Sequence, residues 1–215
     1  MGTPIVGRNV KVEVSKTEGA AKTIAEVTNA KPAVASCVGH GLAAKSCGYF
    51  RNVVGMVKLE GQAVRIASVT TDSFTIEGLD TTTWGDFTAG EFVPITAWST
   101  LAEATSYQIP DGTADQLDTT TLLDDDKQTK NGQANARTVT YAVIAQQTNS
   151  EAGDIVEAAA ANQAYLVQRI TFNETGATRI FRGQPSEPGE NVAKSAVGTG
   201  SITSNVKGRI LKGAP

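Results

Sequence analysis

Apolar and polar residues alternate with a period of two along most of this chain, which is the pattern of strands that bury one face. The first such run is NVKVEVS, residues 9–15, and the last covers residues 201–211. Further runs cover residues 136–146, 166–172 and 179–183, the last two joined by a turn at 174–176. The pattern predicts a mainly β fold. We also expect residues 22–28 to fold back on the first strand across a turn at Gly19.

One segment has the pattern of a helix instead. Residues 150–165, SEAGDIVEAAAANQAY, contain an alanine run with high helix propensity. Ser150 is a suitable N-cap, and Glu151 and Asp154 match the positive end of the helix dipole. The sequence therefore predicts an architecture that is mostly β with one α-helix.

Residues 28–92 differ from the flanking sequence in the spacing of their predicted elements. Short strands there alternate with turn residues at intervals of roughly eight to twelve positions. That spacing is typical of a small barrel. We predict that residues 28–92 form an inserted small β domain. The domain that carries this insertion is then built from residues 1–27 and 93–215.

Composition removes several classes of function. The formal net charge of the 215 residues is −3, which gives no whole-chain attraction to nucleic acid or membranes. No apolar run is long enough to span a bilayer, and the first residues lack the apolar stretch of a signal peptide. Without export, Cys37 and Cys47 are expected to be reduced core thiols.

The most unusual chemistry is the acidic run Asp124, Asp125 and Asp126. Adjacent residues on an extended chain point to opposite sides, so these carboxylates do not converge on one metal ion. The polar stretch that follows, with Lys127, Lys130, Asn131 and Gly132 among its residues, is typical of a loop. We interpret residues 124–135 as a solvated or inter-subunit loop, disordered in the free chain. Its acids would face Lys127, Lys130 or Arg137 of a neighbour and so fix the register between subunits.

Enzymatic sites find little support. A structural zinc site needs four ligands, and the sequence offers only three possible ones close together: Cys37, His40 and Cys47. We interpret His40 as part of a turn. The single histidine, with no nucleophile elbow or phosphate-binding glycine loop, argues against hydrolase and nucleotide chemistry. We expect neither catalysis nor a cofactor. A sugar-binding platform formed by Trp84 and Phe87 is an alternative.

Two stretches resemble known families. VGHGL (residues 38–42), NVVGMVKLEG (52–61) and VRIASVTTDSFTIEG (64–78) resemble, in order, a small β module of phage structural proteins. Gly39 and Glu60 depart from the alanine and asparagine usual in that module. Residues 98–132, the helix and residues 165–210 resemble the major tail tube protein of lambda-type phages with long, non-contractile tails.

The second resemblance implies a two-sheet β-sandwich or barrel with one flanking α-helix. It also implies a structural virion protein that assembles into stacked, hexameric rings, through which double-stranded DNA passes without specific binding. It implies contacts with further copies and with the tape measure, tail terminator and distal tail proteins, and no membrane contact. The implied location is the virion tail, after assembly in the host cytoplasm. The implied contact residues are the loop just described and a C-terminal stacking arm with Gly208, Arg209, Lys212 and Pro215. We expect residues 208–215 to form no core and to be mobile until a neighbour holds them. The alternative function is a carbohydrate- or receptor-binding virion module.

Overall fold

The computed structural model describes residues 9–123 and 125–214, which form sixteen β-strands and one α-helix. The strands, in chain order, are β1 (Val10–Glu18), β2 (Lys22–Ile24), β3 (Glu26–Val27), β4 (Val34–Ser36), β5 (Cys47–Val54), β6 (Ala63–Val69), β7 (Ser73–Ile76), β8 (Ala89–Thr100), β9 (Ala104–Gln108), β10 (Ala114–Asp118), β11 (Thr129–Ala134), β12 (Thr138–Ile144), β13 (Leu166–Phe172), β14 (Thr178–Pro185), β15 (Gly189–Asn191) and β16 (Thr199–Gly213). The helix α1 covers Glu151–Ala161, and a short 3-10 turn covers Val57–Leu59.

Fourteen of these strands belong to one antiparallel network, and the mainly β prediction is confirmed. Its main path runs β3-β4-β7-β6-β5-β8-β1-β13-β14-β16-β12-β9, while β15 pairs with β16 and β2 with β8. Strands β10 and β11 form a separate two-stranded sheet. A network this long cannot stay flat, because each pair of strands adds twist. The result is consistent with a β-sandwich.

The expected hairpin between the first strand and residues 22–28 is wrong. Strand β1 lies along β8 with Glu18 opposite Ile95, and β2 continues along the same neighbour with Lys22 opposite Phe92. Gly19 sits between them and donates its N–H to the carbonyl of Pro94 at 2.7 Å. The glycine therefore marks an irregularity in a nearly continuous ladder. A turn signal in sequence does not distinguish this case from a true reversal.

Two hydrophobic clusters lie on opposite faces of the β13-β14-β16 part of the sheet. Ile180 and Phe181 are consecutive on β14, so they point to opposite faces, and they belong to different clusters. Phe181 packs with residues of β1, β12 and α1. Ile180 packs with the strands of residues 28–92.

The helix is confirmed where the sequence predicted it. Ser150 is its N-cap and accepts a hydrogen bond from Gly153 N at 3.1 Å. Ala152, Val156 and Ala159 are buried, which places this face of the helix against the sheet. The pKa of Glu151 in the first turn is lowered by hydrogen bonds from Lys16 and Ser99, so the carboxylate ties the helix to β1 and β8.

Residues 28–92 also contact the rest of the chain through polar groups. Arg65 on β6 forms an ion pair with Glu77 at 2.7 Å and donates to Thr178 Oγ1 of β14 at 2.9 Å. Arg182 on β14 stacks on the ring of Tyr49, with 4.1 Å from its guanidinium carbon to the ring centre. Strand β8 runs through both parts, pairing with β5 in its first half and β1 in its second. The insertion itself stays a prediction.

Candidate functional site

The chain extends a β-hairpin, residues 114–134, which we call the arm. Its strands β10 and β11 pair with each other in an antiparallel ladder, with Leu117 opposite Lys130. None of the residues in either strand is buried. A two-stranded ribbon with no buried face gains little from its own packing. The arm therefore leaves its two strands largely exposed to solvent.

The tip of the arm combines acidic and apolar side chains. Asp118 accepts hydrogen bonds from the backbone N–H and the hydroxyl of Thr120, at 2.9 and 2.6 Å. These bonds lower the pKa of Asp118, and Lys127 lies 3.5 Å from its other oxygen. Leu122 and Leu123 are fully exposed, at 106% and 95% of their reference areas. The acids are evident as candidate contact residues in the sequence, whereas no pattern around the two leucines predicts their exposure.

The predicted loop residues are divided between the tip of the arm and one of its strands. Asp125, Asp126 and Lys127 lie at its tip, whereas Lys130, Asn131 and Gly132 belong to strand β11. Residues 129–134 are thus a strand, and the prediction of a loop there is wrong. The side-chain amide of Gln116 donates to Asn131 Oδ1 at 2.7 Å, so polar residues supply cross-strand bonds where apolar pairs are absent. Asp124 lies outside the described residues. The inter-ring role of all these residues stays a prediction.

The predicted C-terminal stacking segment, which is distinct from the arm, lies at the end of strand β16. Leu211 lies opposite Ile180 of β14 and is buried, so the expectation that residues 208–215 form no core is wrong. Gly208, Arg209 and Lys212 are exposed residues of this strand. Short runs with glycine and lysine can join a sheet when one apolar residue in them reaches the core. Pro215 lies outside the described residues, and the stacking role of the segment stays a prediction.

Strand β16 bulges where it meets residues 28–92. Between the pairs Arg182–Lys207 and Ile180–Leu211, β16 has the longer intervening segment. The side chain of Gln62, fully buried, fills the irregularity. Its oxygen accepts from Arg209 N at 2.8 Å and its amide donates to Arg209 O at 2.9 Å. A glycine at position 208 suits the positive φ of 81° there.

Beside this bulge lies a groove of about 710 Å³, formed by the base of the arm and the end of β16. Arg137, Arg209 and Lys212 line it, and all three are exposed. Within residues 9–123 and 125–214, none of the three forms an ion pair. We call this feature the basic groove. It lies at the base of the projecting arm.

The other candidate residues are structural. His40 is buried, accepts a bond from Leu42 N at 2.9 Å through Nδ1 and lies 3.2 Å from Ser73 O through Nε2, which holds the turn. Both cysteines are free and buried, and burial raises the pKa of the Cys37 and Cys47 thiols. Trp84 is buried under the guanidinium of Arg209, so it offers no exposed face for a sugar.

No cluster of three or more His, Cys, Asp or Glu residues in the described part of the chain is placed to hold a metal ion. Nor is any described helix long and apolar enough to cross a membrane.

Comparison with known proteins agrees with this geometry. No curated protein matches the chain. The family model for phage tail tube proteins matches residues 54–210, well over half of the chain, and the match spans the arm, the helix and most of the basic groove. The chain therefore belongs to the phage tail tube protein family and is a structural protein of the virion tail.

Proposed function

We propose that this chain is the repeating subunit of the tail tube: copies close into rings, and the rings stack into the conduit through which DNA leaves the capsid. The family match over residues 54–210 is the observation that supports this most directly. A tube subunit works through its contacts with copies of itself. The features to look for are therefore surfaces that a single chain leaves uncovered.

The sheet has such surfaces at both ends of its strand path. Strand β9 pairs only with β12, and β3 only with β4, among the described residues. An edge strand presents unpaired N–H and C=O groups, which favour pairing with another chain. In a closed ring, edges of neighbouring subunits are covered. Hexameric closure is implied by the family resemblance and belongs to this proposal.

The arm is the second uncovered surface. It projects from the sheet with exposed leucines at its tip, and an isolated hairpin of this kind is marginal in water. Contact with the adjacent ring would cover it. The C-terminal half of β16 lies at the arm's base, so both predicted contact segments face the same region.

The family implies that the finished tube also meets other tail proteins. The tape measure protein inside it, the terminator at one end and the distal tail protein at the other are the partners we propose. Passing DNA is expected to meet the wall without specific binding, because phosphate-neutralising lysines and arginines along the lumen would slow it.

Electron microscopy of the purified full chain, paired with sedimentation velocity over a range of concentrations, tests the proposal. We expect rings at low concentration and tubes of constant diameter at higher concentration. A protein that stays monomeric at every concentration and binds glycans on an array would overturn the proposal in favour of a receptor-binding virion module.

A further inference from the structure

We propose that the basic groove receives the tip of the arm from a second copy of this chain, so that each subunit carries both halves of one stacking contact. The inference rests on the proposed stacked tube, and it names the surface that receives the arm. It is argued from the charge, shape and reach of described residues.

The basic groove concentrates positive charge in a chain whose overall net charge is −3. Its walls come from three places: Gly78 of residues 28–92, the arm base up to Arg137, and residues Val206–Lys212 of β16. Arg209 is fixed over the ring of Trp84, at 5.5 Å from its centre. An arginine held by an aromatic ring presents its N–H groups in a defined direction. The groove is thus preorganised for an anionic partner.

The strand pairing behind the groove strengthens this argument. Lys212 lies directly opposite Arg179 of β14, and like charges placed opposite each other destabilise a sheet. Neither Lys212 nor Arg179 forms an ion pair with a described residue. Glu77, which accepts from Ala214 N beside them, is already paired with Arg65. An acidic group from outside would offset the repulsion between Lys212 and Arg179.

The tip of the arm has the complementary composition. Residues 111–128 contain six aspartates and one lysine. Asp125 and Asp126 are exposed, and Leu122 and Leu123 next to them are exposed as well. Carboxylates matched to the arginines fix the register, while the leucines supply the apolar area that a salt-sensitive ion pair lacks. The partner of this groove is consequently an acidic peptide segment with an apolar centre.

The arm cannot reach its own groove. It starts at the groove wall, and Leu122 lies eight positions along the chain from Ala114, which places the tip up to roughly 27 Å away along the hairpin. A straight paired hairpin does not fold back over this distance. The tip of one copy therefore enters the groove of another. Contacts between two different surfaces of the same chain repeat head to tail, and they build an open stack when the rotation between copies does not close a ring. Such a contact produces a stack that grows in one direction.

Charge reversal tests the pairing. R137E/R209E/K212E in the groove, or D125K/D126K at the tip, should each raise the critical concentration for tube assembly about tenfold or more, which corresponds to about 1.4 kcal/mol per contact. The chain carrying both sets should assemble again, because the charges are complementary once more. The matched controls are K45E/K58E/K194E and E187K/E190K, which alter exposed charges elsewhere and should stay within about twofold of the wild type. Circular dichroism establishes that each variant is folded.

A second measurement covers variants that fail to fold. L122C is combined with K212C, which removes one groove cation and leaves Arg137, Arg209 and the tip carboxylates unchanged. Oxidation of assembled protein should give a covalent ladder of many copies on a non-reducing gel, because each chain has one half of the contact at either end. Each single variant, L122C or K212C, should give no ladder. Absence of a ladder from the double variant in assembled tubes overturns the proposal.

The outcomes separate this inference from the proposed function. If the wild type forms tubes and the groove variant forms them equally well, the tube remains and the pairing fails. If the wild type never assembles, the tube proposal itself fails. If the groove variant assembles normally but loses binding to a short DNA duplex in fluorescence anisotropy, the groove serves DNA phosphates and the pairing is overturned.

Discussion

Gln62 shows what a single buried amide does in this fold. It lies on the turn before β6, is fully buried, and bonds both backbone groups of Arg209 in the β16 bulge as well as the carbonyl of Ala63. A buried amide with all its bonds made defines one register, because any shift leaves polar atoms unpaired. The residue therefore fixes where the last strand meets residues 28–92.

Replacing this amide measures that role. Gln62→Leu keeps the volume and removes both bonds to Arg209, so we expect a loss of roughly 2 to 3 kcal/mol in the free energy of unfolding. Urea denaturation followed by tryptophan fluorescence gives the value. Gln116→Ala is the control, since Gln116 bonds Asn131 on the exposed arm and should change stability by about 0.5 kcal/mol or less. Equal losses from both variants would contradict this account.

Glu151 predicts a dependence of stability on acid. Hydrogen bonds from Lys16 and Ser99 lower its pKa in the folded chain below the ordinary value. A depressed folded pKa means that the stabilisation is complete above the unfolded pKa and is lost as the pH falls through the folded pKa. Glu151→Gln should therefore make the melting temperature fall less steeply with pH below about pH 4.5. Glu187→Gln should keep the wild-type slope, and an unchanged slope for Glu151→Gln would refute the link.

Residue-level reasoning from sequence succeeded where the signal was local. Ser150 as N-cap needed only its neighbours in the chain, and its bond to Gly153 is present. Gln62 gave no such signal, because its partner Arg209 lies 147 positions away. Arg209 and Lys212 were attributed to a mobile tail, since nothing near them in sequence shows that Leu211 reaches Ile180. Side chains that act through distant contacts need the fold before they can be assigned.

Among elements, those with strong local patterns were predicted well. The helix and the β13–β14 hairpin have their periodicity and turn within a few residues, and both are present. The predictions for strand β2 and for the arm are wrong for opposite reasons. Gly19 predicts a turn, but the ladder along β8 continues past it into β2. The arm has no apolar alternation, because no face of it packs on its own chain.

The arm can be shortened without touching the core. Replacing residues 119–128 by Asn-Gly joins Asp118 to Thr129, a pair that the ladder already places opposite each other, and Asn-Gly suits a two-residue hairpin. We expect the melting temperature of the subunit to stay within about 2 °C, since the described residues among those removed are all exposed. Tube assembly should be lost in electron micrographs. Tubes of normal length from this variant would show that the arm is dispensable for stacking.

At the scale of the whole molecule, the sandwich and residues 28–92 share a hydrophobic cluster. Ile180 and Leu211 of the sandwich pack with Phe50, Phe74 and Phe92 in that cluster. The prediction of an inserted domain came from a change of texture along the sequence, which reveals where a segment begins and ends but not what it packs against. Removing the segment exposes the sandwich's side of the shared cluster.

The deletion must therefore be made in two forms. Replacing residues 31–91 by a Gly/Ser linker exposes Ile180 and Leu211, so we expect aggregated protein. The same deletion with Ile180→Thr and Leu211→Ser should be soluble, with a β-type circular dichroism spectrum and a cooperative melt. The full-length chain with those two substitutions is the control. A soluble, cooperative plain deletion would show that the shared cluster contributes less than its burial indicates.

Strand β8 has a mechanical consequence for the assembled particle. Its twelve residues belong to both parts of the chain and are flanked by β5 and then β1. A pull on residues 28–92 is thus transmitted lengthwise through β8, where ladder hydrogen bonds are loaded together in shear and not opened one after another. In the assembled tube, residues 28–92 therefore cannot move independently and must rotate together with the tube wall to which β8 joins them. A dye on Lys58 would therefore report the rotation of the wall itself, with an anisotropy decay as slow as that of the whole tube.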